Sequence, residues 1–132
     1  MSGCCCPDRG GAGDFLTDEV CGNFSISCND TDRTQTVWES VLNDTTTSPV
    51  SGGTVTVFFD RGCGDLTVNV YNDGGLVTSF TVPDEPQSST GNTRAQTILA
   101  EFDTVEIVCG EAGDTGRFCT GKYCITAHYR LR

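Results

Sequence analysis

The sequence predicts an all-β protein, an eight-stranded antiparallel jelly-roll sandwich with a flexible N-terminal cysteine-bearing arm. Three observations predict it: short β-branched and aromatic runs recur from Asp18 onward, turn-forming residues separate them, and helical periodicity is weak throughout. No internal repeat of about 20–50 residues is visible, which sets solenoids and propellers aside.

Residues 1–17 (MSGCCCPDRGGAGDFLT) hold four glycines, a proline and three adjacent cysteines, with almost nothing apolar before Phe15. A glycine-rich stretch of this kind behaves as flexible coil, so it reads as a connector arm, with the jelly-roll domain in residues 18–132. The expected strands are Glu19–Cys28, Thr34–Leu42, Thr54–Asp60, Leu66–Asn72, Leu76–Val82, Arg94–Leu99, Thr104–Cys109 and Lys122–Leu131. Only Thr34–Leu42 competes as a short helix, and its threonines and Trp38 favour strand. Arg61-Gly62-Cys63-Gly64-Asp65, Asn72-Asp73-Gly74-Gly75 and the segment from Pro83 to Asn92 supply turns, glycine and asparagine offering the positive φ that tight hairpins need.

Alternation assigns faces. In the last strand Tyr123, Ile125, Ala127, Tyr129 and Leu131 share the core face, while Cys124, Thr126, His128 and Arg130 share the other. In the first strand Val20, Phe24, Ile26 and Cys28 point inward, and Cys21, Asn23, Ser25 and Ser27 outward. Cys21 and Cys124 are therefore expected on the solvent side.

The chain has 132 residues with 8 basic and 18 acidic side chains, giving 8 − 18 = −10. A chain of this length suits one domain with its own core. The acidic balance, with a pI of about 4.2, argues against a nucleic-acid partner, which needs a basic stripe, and against an anionic membrane surface. No apolar run approaches the ~18 residues of a spanning helix. Met1–Arg9 lacks a basic start followed by an apolar stretch, so no signal peptide is expected.

Nine cysteines are the outlier, and the odd number leaves at least one thiol free, ligating or paired with another chain. In a jelly roll Cys28, Cys63, Cys109 and Cys119 fall at one end of the sandwich. Two intrachain disulfides are expected among them, with Cys28–Cys119 and Cys63–Cys109 as the favoured pairing of three. Cys4, Cys5 and Cys6 cannot easily pair with one another, because bridging neighbours strains the ring. On a loose arm they are suited to reach Cys21 and Cys124. Reaching those of the same molecule gives a sealed monomer; reaching those of other copies gives a covalent head-to-tail chain.

These residues resemble the bacterial endospore appendage proteins, subunits of pilus-like fibres on spores of Bacillus and relatives. Two signatures carry the resemblance. One is an N-terminal pair of adjacent cysteines, Cys4-Cys5 or Cys5-Cys6, followed by Cys21 at the start of the first strand. The other is a C-terminal G-x-x-C-x-x-x-x-Y, here Gly121 to Tyr129 around Cys124. The resemblance implies a self-assembling structural subunit whose partners are further copies of itself. Related appendage subunits or a spore-surface anchor are further partners to expect. Neighbours join by sheet edges, and the arm of one copy forms disulfides with the first-strand and last-strand cysteines of others. Residue matching puts the donor role on Cys4, Cys5 or Cys6 and the acceptor role on Cys21 and Cys124. It also implies assembly in a mother cell and a location on the spore surface, in keeping with the expected lack of a signal peptide. Whether the fibre is helical or built of stacked rings stays open.

Rival chemistries are weaker. Cys4-Cys5-Cys6 lacks the C-x-x-C spacing that lets two sulfurs reach one tetrahedral ion, and Cys119-x4-Cys124 with His128 has no C-x-x-C partner, so no metal is expected. Cys124 and the sole histidine, His128, lie about 13 Å apart along one strand at ~3.3 Å per residue, too far to act as nucleophile and base. Asp84-Glu85 and Asp18-Glu19 read as loop and strand-edge charges. No catalytic residue and no cofactor is therefore expected, and the protein reads as a non-enzyme. The alternative is a soluble extracellular β-sandwich binding carbohydrate or calcium, with Asn29-Asp30-Thr31-Asp32 as oxygen donors, although that run lacks the spacing of a calcium loop. The sequons at Asn23, Asn29 and Asn43 read as chance, and Trp38 as core.

Overall fold

The computed structural model describes residues 15–29, 33–40, 47–84, 92–110 and 117–131. They form eight strands: β1 (Phe15–Ser27), β2 (Thr34–Glu39), β3 (Thr47–Arg61), β4 (Leu66–Asn72), β5 (Gly75–Val82), β6 (Asn92–Ile98), β7 (Thr104–Val108) and β8 (Phe118–Leu131). Each overlaps an expected strand. β1 begins at Phe15, so residues 15–17 lie in the sheet, earlier than the expected domain start at residue 18. β3 and β8 also start earlier than the alternation alone indicates, because weakly patterned residues such as Gly52-Gly53 and Thr120-Gly121 still pair with a neighbour, with Ser51 in a bulge between Val50 and Gly52.

The strands build two four-stranded antiparallel sheets, ordered β1-β8-β3-β6 and β2-β7-β4-β5. Consecutive strands change sheet at every connection except the β4–β5 hairpin, which makes the sandwich a jelly roll. That hairpin closes on the pair Asn72↔Gly75, with Asp73 at φ 52° and Gly74 at φ 84°, the left-handed backbone that a two-residue turn requires.

The core follows from period-two alternation. β3 buries Val55, Val57 and Phe59, β4 buries Leu66, Val68 and Val70, β7 buries Val105 and Ile107, and β8 buries Ile125, Ala127 and Tyr129. Phe102, completely enclosed, stacks at a tilt against half-buried Trp38 with ring centroids 5.4 Å apart. Trp38 thus sits against the core, as its position in an apolar run suggests. Residues 41–42 of the expected second strand, Asp30 to Asp32, Asn43 and Glu85 lie outside the described residues, as do Cys4, Cys5 and Cys6.

Candidate functional site: two groups of cysteines

The first group lies on an outer face. β1 and β8 pair over their whole length, and the register sets Cys21 directly opposite Cys124. Their Cα atoms are 4.1 Å apart, close to the ~4.5 Å of a non-hydrogen-bonded antiparallel pair, and the two sulfurs are joined within the chain. Cys21 is exposed and Cys124 half-buried, while their strand neighbours Phe24, Ile26, Ile125 and Ala127 are buried. Alternation explains this, since a residue odd in register with the core set must face out. Among the described residues β1 is an edge strand of its sheet, so the pair sits beside a row of backbone groups with no neighbouring strand there.

The second group is sealed at one end of the sandwich. Cys28 follows β1, Cys63 lies in the β3–β4 turn, Cys109 follows β7, and Cys119 stands near the start of β8. Their four sulfurs all lie within 4.8 Å of one another. Cys28, Cys109 and Cys119 are buried and Cys63 is partly so. The bonded pairs are Cys28–Cys63 and Cys109–Cys119, with Cα separations of 6.3 and 5.8 Å. This differs from the expected Cys28–Cys119 and Cys63–Cys109. The reason is proximity in three dimensions: Cys63 Sγ lies 3.5 Å from Cys109 and 3.8 Å from Cys119, so alternative partners are nearly equidistant and strand order alone cannot choose.

The surroundings of this cluster were not legible in the sequence. Gly62 packs so tightly that an added Cβ would come 2.8 Å from Cys119 Sγ and 2.6 Å from the Phe59 ring. Arg117 donates from Nη2 to the Gly62 carbonyl at 2.5 Å, and Arg33 from Nη1 to the Cys109 carbonyl at 3.4 Å. Neither arginine has a sequence neighbour that signals the contact. The only available hint is that Arg33 and Arg117 each stand within a few residues of a cysteine.

Polar side chains on both sheets make structural hydrogen bonds. Thr17 Oγ1 and His128 Nδ1 are 3.0 Å apart on the exposed face, and Ser51 Oγ donates to the His128 carbonyl at 3.1 Å. On the other sheet Tyr71 donates to Glu106 Oε1 at 2.8 Å and Asn69 Nδ2 donates to the same oxygen at 3.1 Å. That hydrogen bond to Glu106, with burial and the carboxylate charge behind it, raises the Tyr71 phenol above its ordinary 10.0. Tyr129 is raised too, first by burial and then by the Asp18 carboxylate.

Comparison with known proteins agrees with this architecture. A family model described as endospore appendages matches residues 2–131. Among solved structures, a chain from a Bacillus endospore appendage, described as a novel family of disulfide-linked pili, superposes with a TM-score of 0.60 at 21% identity, covering 96% of this chain and 98% of that one. The infectious bursal disease virus VP2 subviral particle gives a TM-score of 0.47 at 16% identity, over 96% of this chain and 42% of that one. No curated protein matches the sequence.

Proposed function

Since the chain belongs to the endospore appendage family, we propose that it is the structural subunit of a disulfide-linked, pilus-like fibre on the spore surface. The observation that carries this reading is the exposed Cys21–Cys124 pair on the edge of an otherwise closed sandwich. A disulfide presented to solvent beside a strand edge is open to attack by a thiol of a docked neighbour, which is what a covalently linked polymer subunit requires.

The chemistry is thiol–disulfide exchange. A thiolate from Cys4, Cys5 or Cys6 of one copy attacks the exposed Sγ of Cys21 in another. A bond forms between the chains, the Cys21–Cys124 bond breaks, and Cys124 leaves as a thiolate, so no net oxidation is needed for this first link. Bonding a second arm cysteine to Cys124 removes two electrons and requires an oxidant such as a low-molecular-weight disulfide. Docking precedes this clasp. Among the described residues both sheets end in strands with one side left without a neighbouring strand, β1 and β6 in one and β2 and β5 in the other, and these suit backbone pairing between copies. The net charge of −10 keeps undocked subunits apart. The role is structural rather than catalytic, and assembly inside a mother cell belongs to the same reading, with the disulfide links forming once an oxidant is present.

The test is the full chain with Cys4, Cys5 and Cys6 all changed to serine. The unaltered protein is expected to give elongated particles by negative stain that resist hot detergent and enter a gel only with reductant. The serine variant is expected to run as a 14.0 kDa monomer in any redox state. Resistant fibres from the variant would refute the arm's role.

A further inference from the structure

We propose that, when reduced, Cys28, Cys63, Cys109 and Cys119 form a tetrathiolate site for a single zinc ion, which the two buried disulfides replace on oxidation. The inference is independent of the fibre reading, because it concerns the interior of one subunit.

Geometry carries it first. A tetrahedral zinc with ~2.3 Å bonds to sulfur has sulfur–sulfur edges of about 3.8 Å. Three of the six edges are already there: Cys28–Cys109 at 3.8 Å, Cys63–Cys119 at 3.8 Å and Cys63–Cys109 at 3.5 Å. No edge exceeds 4.8 Å. The two bonded edges must open to the same length, a swing of roughly 0.9 Å at each sulfur. Four separate elements contribute the ligands, so no two need come from one strand face, and the absence of C-x-x-C spacing ceases to matter.

Electrostatics carries it further. Four thiolates around a divalent ion leave a formal charge of −2, which a buried site tolerates only beside cations. The chain has 8 basic residues against 18 acidic ones, yet two arginines bracket this end. Arg33 donates to the Cys109 carbonyl, and its buried Nε has no hydrogen-bond partner among the described residues. Arg117 donates to the carbonyl of Gly62, beside Cys63. A buried guanidinium N–H lacking an acceptor is costly, and the negative charge of the reduced, metal-bound site would stabilise this guanidinium, which already donates to the Cys109 carbonyl.

The two states interconvert with balanced chemistry. Metal uptake replaces four thiol protons with one zinc ion. With a low-molecular-weight disulfide as oxidant, the tetrathiolate takes up four protons and gives two intrachain disulfides, free zinc and four small thiols, two oxidant molecules being consumed. In a reducing compartment, where disulfides do not persist, the ion would close the same end of the sandwich that the disulfides close after oxidation.

The experiment uses the full chain with Cys4, Cys5, Cys6, Cys21 and Cys124 changed to serine, reduced without oxygen and titrated with cobalt(II). The expected result is one ion per chain with the intense absorption of a tetrahedral cobalt tetrathiolate, bleached by zinc. Adding Cys109→Ser should abolish that spectrum. In the unaltered reduced protein, zinc should shield these four cysteines, and no others, from alkylation read by mass spectrometry, and oxidised glutathione should release the ion. No cobalt uptake, a spectrum of mixed oxygen or nitrogen ligation, an undiminished signal in the Cys109→Ser variant, or alkylation unchanged by zinc would each overturn the proposal.

Discussion

Cys21 and Cys124 face each other across two paired strands with water on one side, whereas the other four described cysteines come from four elements and close the end of the core. Both groups hold sulfur against sulfur, yet their settings lead to different chemistry. The surface pair is held in place by a 13-residue strand, β1, paired along its length with β8, so its disulfide adds little to the native geometry and acts on the unfolded chain, where closing 103 residues contributes about 5 kcal/mol. It can be opened and exchanged without undoing the fold. The end cluster joins segments from four elements, adding to the backbone hydrogen bonds Cys28 N to Arg117 O and Cys109 N to Arg33 O that also close this end. Exposure suits one group to exchange with other thiols, and burial suits the other to clasping the fold.

Removing each group should expose that contrast most strongly. The Cys28–Cys63 and Cys109–Cys119 bonds span 35 and 10 residues, and losing both removes about 7 kcal/mol of chain-entropy stabilisation, comparable to the whole stability of many domains. The oxidised protein with all four changed to serine is expected to unfold at low denaturant, while Cys21→Ser/Cys124→Ser retains a cooperative transition. The reverse order in urea melts would invert the assignment of roles.

Two glycines sharpen the comparison on a smaller scale. A Cβ at Gly62 would strike the Cys119 sulfur and the Phe59 ring, both packed in the core, so Gly62→Ala should cost about 2 kcal/mol. A Cβ at Gly22, next to the surface pair, meets the hydroxyl end of Tyr123, which can swing aside. Gly22→Ala should therefore cost less than about 1 kcal/mol in the same melts.

Reductant should distinguish the groups kinetically. Access governs thiolate attack, so the Cys21–Cys124 bond should open on the order of tenfold faster than either buried bond under limiting dithiothreitol, read by alkylation and mass spectrometry. Equal rates would mean that the end cluster opens as readily as the surface.

The smallest effect is an alkaline one. The Tyr129 phenol, raised by burial and by Asp18, is protonated in the fold at a pH where the unfolded chain would ionise. Its contribution is complete below the unfolded value near 10 and is lost as pH rises through the higher folded value. Stability should fall above about pH 10, less steeply in Tyr129→Phe. A slope unchanged by that substitution would assign the loss elsewhere.

The strand pattern, the core faces of β1 and β8, the outward direction of Cys21 and Cys124 and the β4–β5 turn were all legible in the amino-acid sequence. Each depends on nearest-neighbour alternation or on the backbone preference of one or two residues, and such effects are local. The tertiary structure decided the rest. The register that sets Cys21 against Cys124 joins residues 103 apart, and the choice of Cys28–Cys63 over other pairings rests on ångström differences among four sulfurs from separate elements. The approach of Arg33 and Arg117 to the cluster likewise depends on how loops from both sheets meet. Alternation states which way a side chain points, but only the closing of two sheets on each other determines what it meets there.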